Sequence, residues 1–426
     1  MTHFTIHTST LFDPKIKRVR PNISITVDPT TGLIVHVFER DNAEITLEDG
    51  DIDLRGKYVM PGLVDAHTHV FLHSYDEAGA LVQKRDESMT ERIVRGVNHC
   101  RTALLAGYTT YRDLGSEGMQ DCDTNLRDAI ARGLTPGPRL FVATKVLAST
   151  GSFEARTENT LGGHKLPSSA DAVDGVAQCR EAVRRRIAAG ADVVKFFADY
   201  RRRIMRSPPA QQHPYIPSVL CPPADPNPDY MVFSQEEMDV IAAEARLARA
   251  PVSAHCCTLE GAMAAVRAGV DSIEHVYFST DALFEEMVER GVILVPTLAV
   301  AERLHAKRFG VILGQMKRAW ELGVRIACGG DTGTFPHGEN VRELELMVEA
   351  GIPVADVLES CTVGGWEACG GDRCGRRFGW FEEGLQADLI ALEADPEQRI
   401  GALRNVDFVM KDAVVWKVDG EPRGMH

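Results

Sequence analysis

Asp65-Ala66-His67-Thr68-His69 closes the apolar run Val59-Met60-Pro61-Gly62-Leu63-Val64. Side chains alternate along a strand, so histidines at i and i+2 share one face. Two imidazoles side by side at a strand end are donors that zinc or a similar divalent ion takes. An isolated His-x-His is a weak signal, and its meaning comes from the other polar residues that close apolar runs. Lys195 interrupts Asp192-Val193-Val194-Lys195-Phe196-Phe197, and His255 ends Val252-Ser253-Ala254-His255. His275 ends Ser272-Ile273-Glu274-His275, and Asp331 follows Cys328-Gly329-Gly330. Singly, each has an ordinary explanation, such as a chain-end lysine or a satisfied core histidine. Together, His67, His69, Lys195, His255, His275 and Asp331 have no shared ordinary explanation, and they predict a metal centre.

The residue types fit two divalent ions, with zinc foremost. Neutral imidazoles ligate such ions well. Burial favours the neutral amine of lysine, which can add carbon dioxide and offer the two oxygens of a carbamate as a bridge. Asp331 can bind one ion and take the proton of a bridging hydroxide as general base. Two ions a few ångströms apart polarise a carbonyl and supply a nucleophile near neutral pH.

Elements must place these residues together. Apolar runs at 63–65, 109–113, 139–144, 192–197, 252–255, 272–274, 293–296 and 326–329 alternate with amphipathic stretches at 170–189, 235–249, 259–268, 281–290 and 315–322. Eight such alternations predict an α/β fold, a (β/α)8 TIM barrel, whose chemistry sits where the strands end. Both chain ends read differently, as short β runs split by turns. They predict a small β-sandwich domain from 1–60 and 378–426, flanking a catalytic barrel at 61–377.

The composition narrows the partners. A net charge of −14 over 426 residues argues against nucleic acid and anionic membranes, which favour a basic face. No apolar stretch approaches membrane-spanning length, and the first residues lack the pattern of a secretory signal. A cytoplasmic, self-associating protein acting on a small molecule is expected. The ten cysteines are scattered and read as reduced thiols in a large core. The rhythm breaks after the fourth strand, where Tyr200-Arg201-Arg202-Arg203 leads into prolines at 208, 209, 222, 223, 226 and 228. A long proline-dense loop at the catalytic end reads as a lid or pocket wall.

Over essentially its whole length the chain resembles the amidohydrolase superfamily. The resemblance rests on Pro61-Gly62-Leu63-Val64-Asp65-Ala66-His67-Thr68-His69, Thr109-Thr110-Tyr111-Arg112-Asp113-Leu114-Gly115, Val252-Ser253-Ala254-His255, Ser272-Ile273-Glu274-His275 and Gly330-Asp331-Thr332-Gly333. Phe335-Pro336-His337-Gly338-Glu339-Asn340-Val341-Arg342-Glu343-Leu344 is similar to the branch of Xaa-Pro dipeptidases and ochratoxinase-like carboxamidases. Those relatives imply a binuclear centre bridged by a carboxylated lysine, hydrolysing an amide next to a free carboxylate. They also imply a substrate-carbonyl contact for His164 and an oxyanion-stabilising phenol for Tyr230. One of Arg201, Arg202, Arg203 and Arg206 is a candidate for the substrate's acid, with Arg202 and Arg203 foremost. His337 is expected at the pocket rim as a substrate contact, and Arg112 and Asp113 as structural. The chain departs from the branch after Lys195, where relatives carry a glycine-rich turn and this chain has Phe196-Phe197-Ala198-Asp199-Tyr200.

Two other readings compete. Relatives acting on cyclic amides or imines, such as imidazolonepropionase, belong to branches that generally manage with one metal and no lysine on the fourth strand, so Lys195 favours the binuclear amide hydrolases. A non-catalytic scaffold of this fold would have lost metal ligands, whereas all six candidates are present here.

Overall fold

The computed structural model describes residues 3–41, 45–153, 157–158, 164–201, 211–212, 215, 220–221 and 228–425, without the side chains of 157–158, 164–165, 211–212 and 220–221. Strands from both chain ends join one nine-stranded sheet. Ile52–Pro61 lies at the junction, parallel to Phe4–Asp13 and antiparallel to Leu389–Leu392, with Met60 opposite Ile390. This is why the two termini read alike: each supplies half of one sheet. Ile6, Ile25, Leu54, Val59, Trp380, Phe408 and Met410 form a buried cluster of its own on this sheet.

The middle of the chain alternates parallel strands with helices. Leu63–Thr68, Tyr108–Asp113 and Arg139–Val142 pair in that order. Val146–Ala148, Val194–Phe197, Val252–Cys256, Ser272–His275 and Ile293–Val295 follow, each parallel to the next. The two groups touch where the carbonyl of Val142 accepts from the amide of Asp192 at 2.8 Å. On the other side, single parallel bridges join Leu294 to Ile326 and Thr68 to Thr332. The path of parallel contacts thus returns to its first strand.

Two predicted strands differ. The run at 139–144 breaks after Val142 because Thr144 takes a left-handed φ of 60°, and pairing resumes at Val146. The run at 326–329 is no regular strand. Close approach explains this: a Cβ on Gly329 would lie 2.7 Å from the backbone nitrogen of His67 and 2.6 Å from Val295. At Gly329 the chain presses too tightly on both neighbours to accept a side chain.

The helices start and stop on local signals. Ser234 and Glu237 form a reciprocal capping box at Gln235–Leu247. Thr258 caps Leu259–Ala268, which ends on Gly269 at φ 82°. The stretch predicted at 170–189 shortens to Gly175–Ala188, since Ala170–Ala172 pairs as a strand with Val146–Ala148. Among the described residues, no helix is long and apolar enough to cross a membrane.

Candidate metal centre

Alternation fixes which strand residues turn inward. Lys195 and Phe197 share one face of Val194–Phe197, as do Ser253 and His255 of the next strand. His275 sits differently. Glu274 takes the inward position, and a φ of 75° at His275 breaks the alternation and turns its ring back beside His255, 4.5 Å between centroids. Asp331 likewise adopts a left-handed φ of 62°. Such conformations cost on the order of 1–3 kcal/mol each and persist where the surroundings over-determine them. Both lie at candidate ligands.

One nitrogen each of His67 and His275 and one oxygen of Asp331 lie within 4.8 Å of one another. His69 joins them, its Nε2 3.2 Å from Asp331 Oδ1, while His67 Nε2 stands 3.5 Å from the same oxygen. The other ring nitrogens are anchored outside. His67 Nδ1 meets Glu274 Oε2 at 2.9 Å, His69 Nδ1 the carbonyl of Gly115 at 3.0 Å, and His275 Nδ1 the hydroxyl of Thr297 at 2.8 Å. Fixing one nitrogen leaves the other free to ligate, the arrangement in which protein imidazoles hold ions. Asp331 Oδ1 is buried without a hydrogen bond, although two imidazole nitrogens flank it. An anionic oxygen left so, beside imidazole nitrogens, fits a divalent cation.

The electrostatics agree. Burial, seconded by the field of Arg112, depresses the Lys195 amine to about 8, within reach of the neutral form that carboxylation needs. Burial and the neighbouring rings push His275 down to about 3 and His255 well below its ordinary value. Burial opposes the Asp331 charge, but His67 and His69 hold the carboxyl well below the usual carboxylate range. His69 goes the other way: burial opposes its charge, yet Asp331 raises it to about 9. An ion must displace that proton. Affinity at this position is therefore expected to rise with pH up to about 9, each ion releasing about one proton from His69. Calorimetry in buffers of different ionisation enthalpy reads that release, and its absence would place His69 outside the ligand set.

Several partners escaped the sequence reading. Glu274 is fully buried, takes Arg112 on one oxygen at 2.8 Å and His67 on the other, and accepts from Ser253 and Ser272 at 2.7 Å. Arg112 also reaches the carbonyls of Ala66 and Ala368. It is structural as expected, and it carries that structure to a candidate ligand. Asp65 ties the first strand to the segment at 330–332 through the His67 amide, the Gly330 amide and the Thr332 hydroxyl, with Asn340 closing the network at 2.6 Å. The Tyr277 hydroxyl shares a hydrogen bond with Thr297 Oγ1 at 2.8 Å and lies 3.3 Å from His275 Nδ1. The alternation of Ser272 and Glu274 was the legible signal for Glu274. Replacing Glu274 with Gln removes the charge that orients His67, and should weaken ion binding about ten- to a hundredfold. Competition with a chromophoric chelator measures this, and unchanged affinity would leave Glu274 as a packing residue only.

The expected substrate residues are placed unevenly. His337 is not at the rim: it is 8% exposed, stacked on His99 with centroids 4.3 Å apart, and its Nε2 lies 3.2 Å from the carbonyl of Leu72. The turn after Asp331 folds it inward beneath the loop that follows His69. Tyr230 is 41% exposed and pairs with Tyr200 across the ribbon of Asp199–Arg201 and Asp229–Met231. His164 lies on the short strand His164–Lys165, its side chain outside the described residues, as are Arg202, Arg203 and Arg206. Arg201 is described, exposed at the ribbon's end opposite Asp229.

Comparison with known proteins places this geometry in context. The profile of the amidohydrolase family matches residues 58–420. Ochratoxinase of Aspergillus niger is 29% identical over 393 residues, covering 84% of this chain and 74% of that protein. The solved structure of a Xaa-Pro dipeptidase with methionine bound in its active site superposes with a TM-score of 0.78 at 28% identity, covering 98% of this chain and 100% of that one. A prolidase complexed with N-methylphosphonate-L-proline gives 0.79 at 26% identity, with the same coverages.

Proposed function

The chain belongs to the amidohydrolase family and is a hydrolase of carbon–nitrogen bonds, and from that premise we propose that it cleaves the amide of an N-acyl amino acid or a Xaa-Pro dipeptide with two bound divalent ions, zinc first among them. The observation that carries this reading is the convergence of His67, His69, His275 and Asp331, each imidazole anchored on its outer nitrogen, with Lys195 buried among them. In the proposed arrangement His67, His69 and Asp331 would hold one ion and His255 and His275 the other, with Lys195, carboxylated, available to both. Ions so held polarise a carbonyl and lower the pKa of water.

The remaining work falls to the chain. Asp331, ionised throughout the physiological range, accepts the proton of the attacking water and returns it to the leaving amine. Glu274 and Arg112 keep His67 in one orientation. Tyr230, exposed on its ribbon, is proposed to steady the developing oxyanion, and His164 to hold the carbonyl. The ring of parallel strands is read as a (β/α)8 barrel at 61–377, and the terminal sheet as a separate unit of 1–60 and 378–426.

Relatives named for Xaa-Pro and prolyl substrates support the choice of amide. Metal-reconstituted protein should release amine from members of a panel of N-acyl amino acids and Xaa-Pro dipeptides, and elemental analysis should find two ions per chain. Loading with two ions but no cleavage across the panel would overturn the substrate class, and one ion or fewer, with bicarbonate present and no chelator, the binuclear centre.

A further inference from the structure

His255 stands between two donor sets. Its ring lies beside His275, and its Nε2 stands 3.4 Å from Cys257 Sγ and 3.9 Å from Asp199 Oδ1. One donor atom from each of Asp199, His255 and Cys257 falls within 4.8 Å of the other two. The spacing suits one ion. With zinc bonds of about 2.0–2.1 Å to nitrogen and about 2.3 Å to sulfur at tetrahedral angles, the two ligand atoms stand about 3.5 Å apart.

Asp199 is built to stay where it is. It ends the strand direction begun by Lys195, is fully buried, and accepts the amides of Cys257 and Thr258 and the hydroxyl of Thr258 at the start of Leu259–Ala268. The Thr258 amide and hydroxyl fall on Oδ2, and the Cys257 amide is shared between both oxygens. Oδ1, the oxygen nearest His255, accepts from the Cys257 amide alone at 2.8 Å and keeps acceptor capacity. Cys257 is partly exposed, so the set opens towards solvent.

We propose that Asp199, His255 and Cys257 form a separate site for a thiophilic divalent ion, of the cadmium or zinc class, that competes with the hydrolytic centre for His255. On binding, the Cys257 thiol gives its proton to water and its sulfur bonds the ion, with His255 Nε2 and Asp199 Oδ1 completing three protein ligands and water the fourth. No redox change is involved. One imidazole nitrogen serves one ion at a time, so an ion held on His255 Nε2 here competes with the centre proposed above wherever that centre takes His255 through the same nitrogen. The inhibition follows only if that centre uses His255, whereas binding at the site itself does not depend on it.

The experiment separates the two. Metal-free protein is titrated with cadmium and followed by the ultraviolet thiolate-to-metal charge-transfer band. The band is expected in the parent chain and lost in Cys257→Ser and Cys257→Ala, with circular dichroism confirming that the variants are folded. A band that persists in both folded variants, or cadmium binding without any band, would overturn the site. In the second arm, cadmium is added to the zinc-loaded enzyme during turnover. Cys257→Ser should raise the inhibitory cadmium concentration roughly tenfold or more. An unchanged inhibitory concentration with the band intact would overturn the competition for His255 alone, and failure of every amide substrate would count against the hydrolytic reading without touching the band.

Discussion

Asp331→Asn should keep the fold and lose about a thousandfold or more in kcat/KM, roughly 4 kcal/mol of barrier. The amide matches the carboxylate in size, so the packing against His67 and His69 survives. What goes is the anionic oxygen that both rings hold deprotonated and that closes no hydrogen bond of its own. An asparagine cannot take a proton from water, and it binds a divalent ion more weakly than a carboxylate does. The His69 ring, raised by Asp331, should fall back in the variant and titrate lower in a histidine NMR experiment. Retention of activity to within about tenfold, some 1.4 kcal/mol, would mean that another group is the base.

How much of this centre was legible follows from strand geometry. His67, His255 and Asp331 each stand out because a polar residue closes an apolar run, and Lys195 because it interrupts one, and sequence shows the runs. His275 is proposed by the same rule, but its turn towards His255 depends on a left-handed backbone that no pattern of residue types displays. Glu274 was hidden in plain view, since an inward carboxylate between two apolar strands is tenable only with Arg112 beside it, 162 positions away in the chain. Long-range pairing is what a single sequence conceals most. His337 shows the same limit in reverse, because its motif marked a loop after Asp331, while its stacking on His99 was set by the helix Met89–Leu105.

The terminal sheet was legible in location, from β texture at both ends, and its order was not. The parallel register of Phe4–Asp13 on Ile52–Pro61, and the antiparallel one of Leu389–Leu392 on the same strand, come from packing one buried cluster. The Gly329-Gly330 segment misled in a specific way. The apolar run at 326–329 announced a strand, but the segment from Ile326 to Thr332, pressed at Gly329 against His67 and Val295, bridges at single residues only.

Lys195 carries the second large effect. Its amine is buried, 3.5 Å from the hydroxyl of Ser253, and set at about 8 by burial. An ammonium cannot ligate, and a cation so close to His67, His255 and His275 would repel any metal ion. Carboxylation, as proposed above, would convert that repulsion into an anionic bridge and so give a physical reason for a lysine at this position. Lys195→Ala should therefore lose ions by elemental analysis and, with them, about a thousandfold or more of kcat. Acetate or a similar short acid should restore part of both by occupying the vacated space with two carboxylate oxygens. Lys195→Arg should not be restored, because a guanidinium stays protonated and can neither ligate nor add carbon dioxide. The two variants divide the explanations. Rescue of the alanine variant alone requires the anion, whereas an arginine variant that keeps both ions and its turnover would show that position 195 contributes only a positive charge.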